Sequence, residues 1–145
     1  MWVYVNSWDR CEECWLSYKR GIQHPNSLSC YKVGIPVSSL KVSLDEFVGE
    51  VKRRGYVAKY GLFPFPVSLT SKGVVILYFT SREEMEKAME ELREFVKEPS
   101  FKERAFFNVF VNVDWEGGFN YRRGCPEFDE KFGDWRKWAN GRAVK

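Results

Sequence analysis

The spacing of apolar positions changes several times along the chain, and each change marks an element. Residues 74–79, Val-Val-Ile-Leu-Tyr-Phe, form a short unbroken apolar run rich in β-branched and aromatic side chains, which suits a buried strand. Directly after it, Met85, Ala88, Met89, Leu92, Phe95 and Val96 recur at three- and four-residue spacing and draw one stripe on a helix. Ser81 and Glu84 supply a capping box at its start, the hydroxyl accepting from a helix amide and the carboxylate reaching back to the cap. Glu83 and Lys87 add a favourable pair one turn apart. The same signature, Ser43 with Glu46, opens another helix with Leu44, Phe47, Val48 and Val51 on one face and Gly55 as its left-handed stop.

Strands are predicted over residues 2–6, 30–35 and 56–60. Residues 61–71, with Pro64 and Pro66, read as a connection. Residues 105–113 show the clearest period of two: Ala105, Phe107, Val109, Val111 and Val113 alternate with Phe106, Asn108, Phe110 and Asn112, which predicts a strand. Asp9 and Glu12 predict a helix over residues 10–20, ended by Gly21, with Cys11, Cys14, Trp15 and Tyr18 on one face. Residues 22–29 read as a loop, and Gly117, Gly118, Gly124 and Pro126 as a turn-rich stretch. A last helix is predicted over residues 127–139, where Phe128, Phe132, Trp135 and Ala139 form a stripe that Gly133 weakens.

From residue 30 to 113 the order is strand, helix, strand, strand, helix, strand. That predicts an α+β, ferredoxin-like (βαββαβ) fold: a four-stranded antiparallel sheet with two helices on one face. The expected organisation is one domain, with a core of residues 30–113, an N-terminal helical extension of residues 1–29 and a C-terminal one of residues 114–145. If Val75, Leu77 and Phe79 face the helices, Val74, Ile76 and Tyr78 form a second apolar face that must be covered. The Trp-rich N-terminal segment and the terminal helix are the expected cover.

Lys72-Gly73-Val74-Val75-Ile76-Leu77-Tyr78-Phe79, followed by Thr80-Ser81-Arg82-Glu83-Glu84, resembles the third strand and second helix of the RNA recognition motif. Lys72, Gly73 and Phe79 match its pattern. Val74 and Ile76 stand where that family has base-stacking aromatics, and Val75 replaces its small residue. Tyr31-Lys32-Val33-Gly34-Ile35-Pro36 is similar to its first strand. The resemblance covers at most residues 30–113 and implies RNA as a ligand.

At 145 residues, with 44% hydrophobic and 30% charged residues, the chain can bury a core and is not a disordered polymer. Its net charge of +3 permits a nucleic-acid partner without requiring one. No signal segment or membrane-length apolar run is read, and the abundance of Lys, Glu and Arg suits a heat-adapted cytoplasmic protein.

Cys11-x2-Cys14 with His24 and Cys30 offers four ligands of the kinds zinc takes, so a zinc-stapled recognition module is one expectation. Buried or disulfide-linked cysteines are the other, with Cys125 a partner for any of them. The single histidine excludes a two-histidine site, and no nucleophile elbow, P-loop or dinucleotide fingerprint is present. Asp114, Glu116, Asp129 and Asp134 read as solvated surface. No enzyme or cofactor is therefore expected. Basic residues interleaved with rings point to nucleic acid: Lys72, Arg122, Arg123, Arg136, Lys137 and Trp138, with Arg142 and Lys145, and the Phe106, Asn108, Phe110 surface. The expected role is a small nucleic-acid-binding domain, the alternative a protein-interaction or self-associating one.

Overall fold

A computed structural model describes residues 2–6, 8 and 10–138. Strands β1 (Val3–Val5), β2 (Tyr31–Pro36), β3 (Val57–Leu62), β4 (Gly73–Phe79), β5 (Asp114–Glu116) and β6 (Phe119–Arg123) form one antiparallel sheet in the order β1-β3-β4-β2-β6-β5. Helices α1 (Cys11–Lys19), α2 (Pro25–Leu28), α3 (Leu44–Arg53), α4 (Arg82–Leu92), α5 (Phe101–Val111) and α6 (Glu127–Phe132) surround it.

Ser43 and Ser81 cap α3 and α4 as predicted, their hydroxyls accepting from the amides of Glu46 and Glu84 at 3.1 Å. Both helices lie on one face. Phe47 and Val51 of α3 and Met85, Met89 and Leu92 of α4 share a cluster with Val33, Ile35, Ala58, Val75, Leu77 and Phe79 of the sheet. The register explains the cluster: Val5, Ala58, Leu77 and Val33 form one row across four strands, and Tyr60, Val75 and Ile35 the core of the next.

The ferredoxin-like expectation is overturned. Six strands are present rather than four, and residues 105–113 are no strand: they belong to α5 and the turn that ends it. The run is so apolar that period two and period 3.6 both fit it, and the flanks decide. Ser100 accepts from the amide of Glu103 at 3.2 Å, a third cap of the same form, and Asn112 closes the helix in the left-handed region at φ 55°. Glu103, buried, also accepts from the hydroxyls of Ser38 and Ser71, which fastens α5 to the loops at the sheet's end. The place beside β2 is taken by β6, joined to β5 by a turn at Gly117 and Gly118.

The second face is covered chiefly by α5. Phe107 packs on Val74 and Val113, with Phe63, Ile76, Phe106, Val111 and Trp115 around them. The N-terminal segment contributes Trp8, stacked on Tyr78 with ring centroids 5.3 Å apart. The terminal helix instead joins α1. Phe128 meets Trp15 and Tyr18 at 4.9 and 5.0 Å, and Trp135 and Trp138 complete that cluster. Gly133, at φ 85°, ends α6 before the predicted stripe is finished. Residues 22–29 are not all loop, since His24 caps the short α2. Asp9, Ala139, Arg142 and Lys145 lie outside the described residues.

Candidate functional site

The side of the sheet away from α3 and α4 carries a row of paired residues: Tyr4, Lys59, Ile76, Gly34, Asn120 and Trp115. The adjacent row is Val57, Tyr78, Lys32 and Arg122. Four polar side chains, Lys59, Asn120, Lys32 and Arg122, thus enter a surface that strand alternation would otherwise leave apolar. Because α5 covers only one end of it, a groove of about 600 Å³ remains along these rows, within the range of ligand sites. The rings of Trp2, Tyr4, Trp15, Phe63, Phe106 and Phe110 line it.

The electrostatics of the floor are unusual. Among the described residues neither Lys32 nor Lys59 has a carboxylate partner. The Lys59 ammonium sits 4.4 Å above the Trp2 ring, and burial, then the like charge of Lys32, lowers its pKa from the usual lysine value. Lys32 donates to Cys125 Sγ at 3.0 Å and lies 5.5 Å from the Tyr78 ring centroid. For Lys32, burial pulls the pKa down, but Cys125, Cys30 and Tyr78 outweigh it and the net shift is upward. Burial likewise pushes the Tyr78 phenol up, with Lys32 opposing.

Asn120 adds a third donor. It is 4% exposed, and its Nδ2 has no hydrogen-bond partner. Gly34 makes room for it, because a Cβ there would collide with the Asn120 carboxamide. A buried amide donor left unpaired costs on the order of 1–3 kcal/mol.

The sequence-predicted nucleic-acid residues do not gather in one place. Arg122 is 2% exposed: its guanidinium pairs with Asp129 at 2.7 Å and donates to the carbonyls of Val111, Gly124 and Cys125. Arg123, 4% exposed, donates to the carbonyls of Leu28, Trp135 and Trp138. Trp138 is buried against them. These three tie the C-terminal segment to the sheet and present no surface to a phosphate. Arg136 is exposed but engaged with Asp114 and Asp134, both at 2.9 Å, while Lys137 and Lys72 are exposed elsewhere. Phe106 and Phe110 border the groove, whereas Asn108 accepts from the Trp115 indole at 2.7 Å.

Of the zinc candidates, Cys11, Cys14 and Cys30 converge, but His24 does not join them. Its Nδ1 accepts from the Asn26 amide at 3.0 Å, and its Nε2 lies 3.4 Å from Glu13. Cys125 takes its place, so all four cysteines line one small cavity between α1, β2 and the turn after β6. All four are free thiols, and among the described residues no group of three or more His, Cys, Asp or Glu side chains is placed to hold a metal ion.

Sequence reasoning missed Lys32, Lys59, Tyr78 and Asn120 as a set. The available signal was a lysine inside each of two apolar strands, but only the register shows that both point to one face. No family model, curated protein or solved structure matches the chain. No described helix is long and apolar enough to cross a membrane.

Proposed function

We propose that the chain is a binding module whose groove receives single-stranded nucleic acid. One observation carries this reading: two lysines without carboxylate partners and an unpaired amide donor share the floor of an aromatic-walled groove. Phosphates would meet Lys59 and Lys32, and bases would stack on the rings of Trp2, Tyr4, Phe106 or Phe110. The rows also lie on the sheet face that carries Val74 and Ile76, the positions that the resemblance to the RNA recognition motif assigns to stacking.

Titration of labelled single-stranded RNA and DNA at two salt concentrations tests the reading. Affinity should fall steeply with salt, and Lys32→Met with Lys59→Met should flatten the slope by about 0.7 for each phosphate that is no longer neutralised. Absence of binding to either oligonucleotide at low salt would end it.

A second reading, self-association or a protein partner, is favoured by a surface that adjoins the groove at Phe110. Phe101, Val109 and Phe110 on α5, with Phe65 and Leu69 on the loop before β4, are exposed large hydrophobics, and Lys102 Nζ reaches the Leu69 carbonyl at 3.3 Å. Sizing of the free protein, with Phe101→Ser and Val109→Ser as controls, separates the two.

A further inference from the structure

The cysteine cluster goes beyond the binding reading and does not depend on it. Its four thiols differ in reach and in neighbours. Cys14 and Cys30 are buried, and burial pushes their thiols up to about 12 and about 11, which keeps them protonated and unreactive toward solutes. Cys11 and Cys125 are half-buried and also line the large groove, so solutes reach them. Of these two, among the described residues, Cys125 alone has a cation in contact: Lys32 Nζ, at 3.0 Å from its sulfur. The reactive form of a cysteine is the thiolate, and Lys32 places a hydrogen-bond donor directly on the Cys125 sulfur, a contact that Cys11 does not make among the described residues.

A second thiol is held beside it by the sheet. Tyr31 pairs with Arg123, and the Gly124 amide donates to the Cys30 carbonyl at 2.8 Å, so the ladder brings Cys30 alongside the residue preceding Cys125. Cys30 immediately precedes β2 and lies two residues from Lys32. Both cysteines line the same small cavity, and Lys32 feels both thiols.

We propose that Cys125 is a peroxide-reactive thiol set up by Lys32, and that Cys30 is its resolving partner. In the first step the Cys125 sulfur attacks one oxygen of hydrogen peroxide. An S–O bond forms, the O–O bond breaks, and the departing hydroxide takes up, through solvent, the proton that the Cys125 thiol gave up, leaving as water. The sulfur is oxidised to a sulfenic acid and the peroxide is reduced. In the second step the Cys30 sulfur attacks the Cys125 sulfur. The S–S bond forms, the S–O bond breaks, and the hydroxyl group leaves as water with the proton of Cys30. Two thiols and one peroxide thereby give one disulfide and two waters. Lys32 is a positioning residue in this scheme.

The test is peptide mapping by mass spectrometry of the full chain exposed to limiting hydrogen peroxide, with and without dimedone as a sulfenic-acid trap. In the wild-type protein a single disulfide joining Cys30 and Cys125 is expected, and Cys125 should react roughly tenfold faster than Cys11. Cys30→Ser should accumulate dimedone adduct on Cys125. Lys32→Met should slow Cys125 to the rate of Cys11, and Lys32→Arg should restore it. Oxidation that begins at Cys11, or equal rates for the two thiols in the wild-type protein, would overturn the proposal, and that comparison requires no variant to fold. A disulfide joining Cys125 to Cys11 or Cys14 would overturn the assignment of Cys30.

Discussion

The two faces of the sheet are built from the same strands and differ in almost everything else. Toward α3 and α4 the strands present Val33, Ile35, Val75, Leu77 and Phe79, closed by Phe47, Met85 and Leu92 in one continuous apolar cluster. On the opposite face the alternate residues of those strands include Lys32, Lys59 and Asn120, beside a groove. Apolar burial is the dominant favourable contribution to folding, so the first face suffices to explain why the chain folds. Nothing about folding asks for two lysines without carboxylate partners and an unpaired amide donor on the second. A face that keeps buried polar groups unpaired bears a stability penalty that contact with a partner can remove.

Substitutions can break or sharpen this contrast. The largest effect is expected within the closed cluster: Phe47→Ala should cost about 3–5 kcal/mol by chemical denaturation, whereas Ile76→Ala, half-buried at the groove, should cost well under half of that. Equal losses would erase the distinction between a face that stabilises and a face that receives. Next comes the buried ion pair of Arg122 with Asp129. Asp129→Ala would leave Arg122 buried without its carboxylate and should cost roughly 3 kcal/mol or more, read as a fall in Tm. Ser100→Ala removes the cap of α5 and should lower stability by about 1 kcal/mol, with faster amide exchange in the first turn of that helix and no change in α3.

The smallest effect has the opposite sign. The pKa of Lys59 is lowered on folding, so between that lowered value and about 10.4 the unfolded chain holds more protons than the native one. Stability contributed at this site therefore rises with pH across that window. Lys59→Met should accordingly stabilise the protein at neutral pH, and the gain should shrink as pH approaches 10.4. A variant less stable than the parent at pH 7 would show that the Trp2 contact outweighs the burial of the charge.

Local signals were legible in the sequence where two of them agreed. Around Ser43 and Ser81 a cap and a helical stripe point the same way, and both helices lie on one face as expected. Around Ser100 the cap and the stripe conflict: Ser100-x-x-Glu103 announces a helix, while the alternation after Ala105 imitates a strand. The cap is the better guide, because an almost wholly apolar segment satisfies either period. The position of β6 beside β2 left no local mark, since it depends on a pairing between distant segments. The same holds for the groove. Arg122 and Arg123 look like a phosphate-binding pair in sequence, but the sheet turns one to Asp129 and the other into a set of carbonyls. Lys32 and Lys59 look incidental until their register aligns them.

The placement of β2 also dictates an order of assembly. Its partners come from later in the chain: Tyr31 waits for Phe79 on one side and for Arg123 on the other. Loop-closure entropy must be met before such distant pairings are rewarded, which makes them slow steps of folding. During synthesis the segment up to α4 can assemble its closed cluster while β2 still presents an open edge, and that edge is a template for other strands until β6 arrives. The groove, and the meeting of Cys30 with Cys125, therefore come into being only when the residues from Phe119 to Cys125 have emerged. A nascent chain stalled before Phe119 would carry a half-covered sheet, an unfinished binding surface and a Cys30 thiol whose partner has yet to be made.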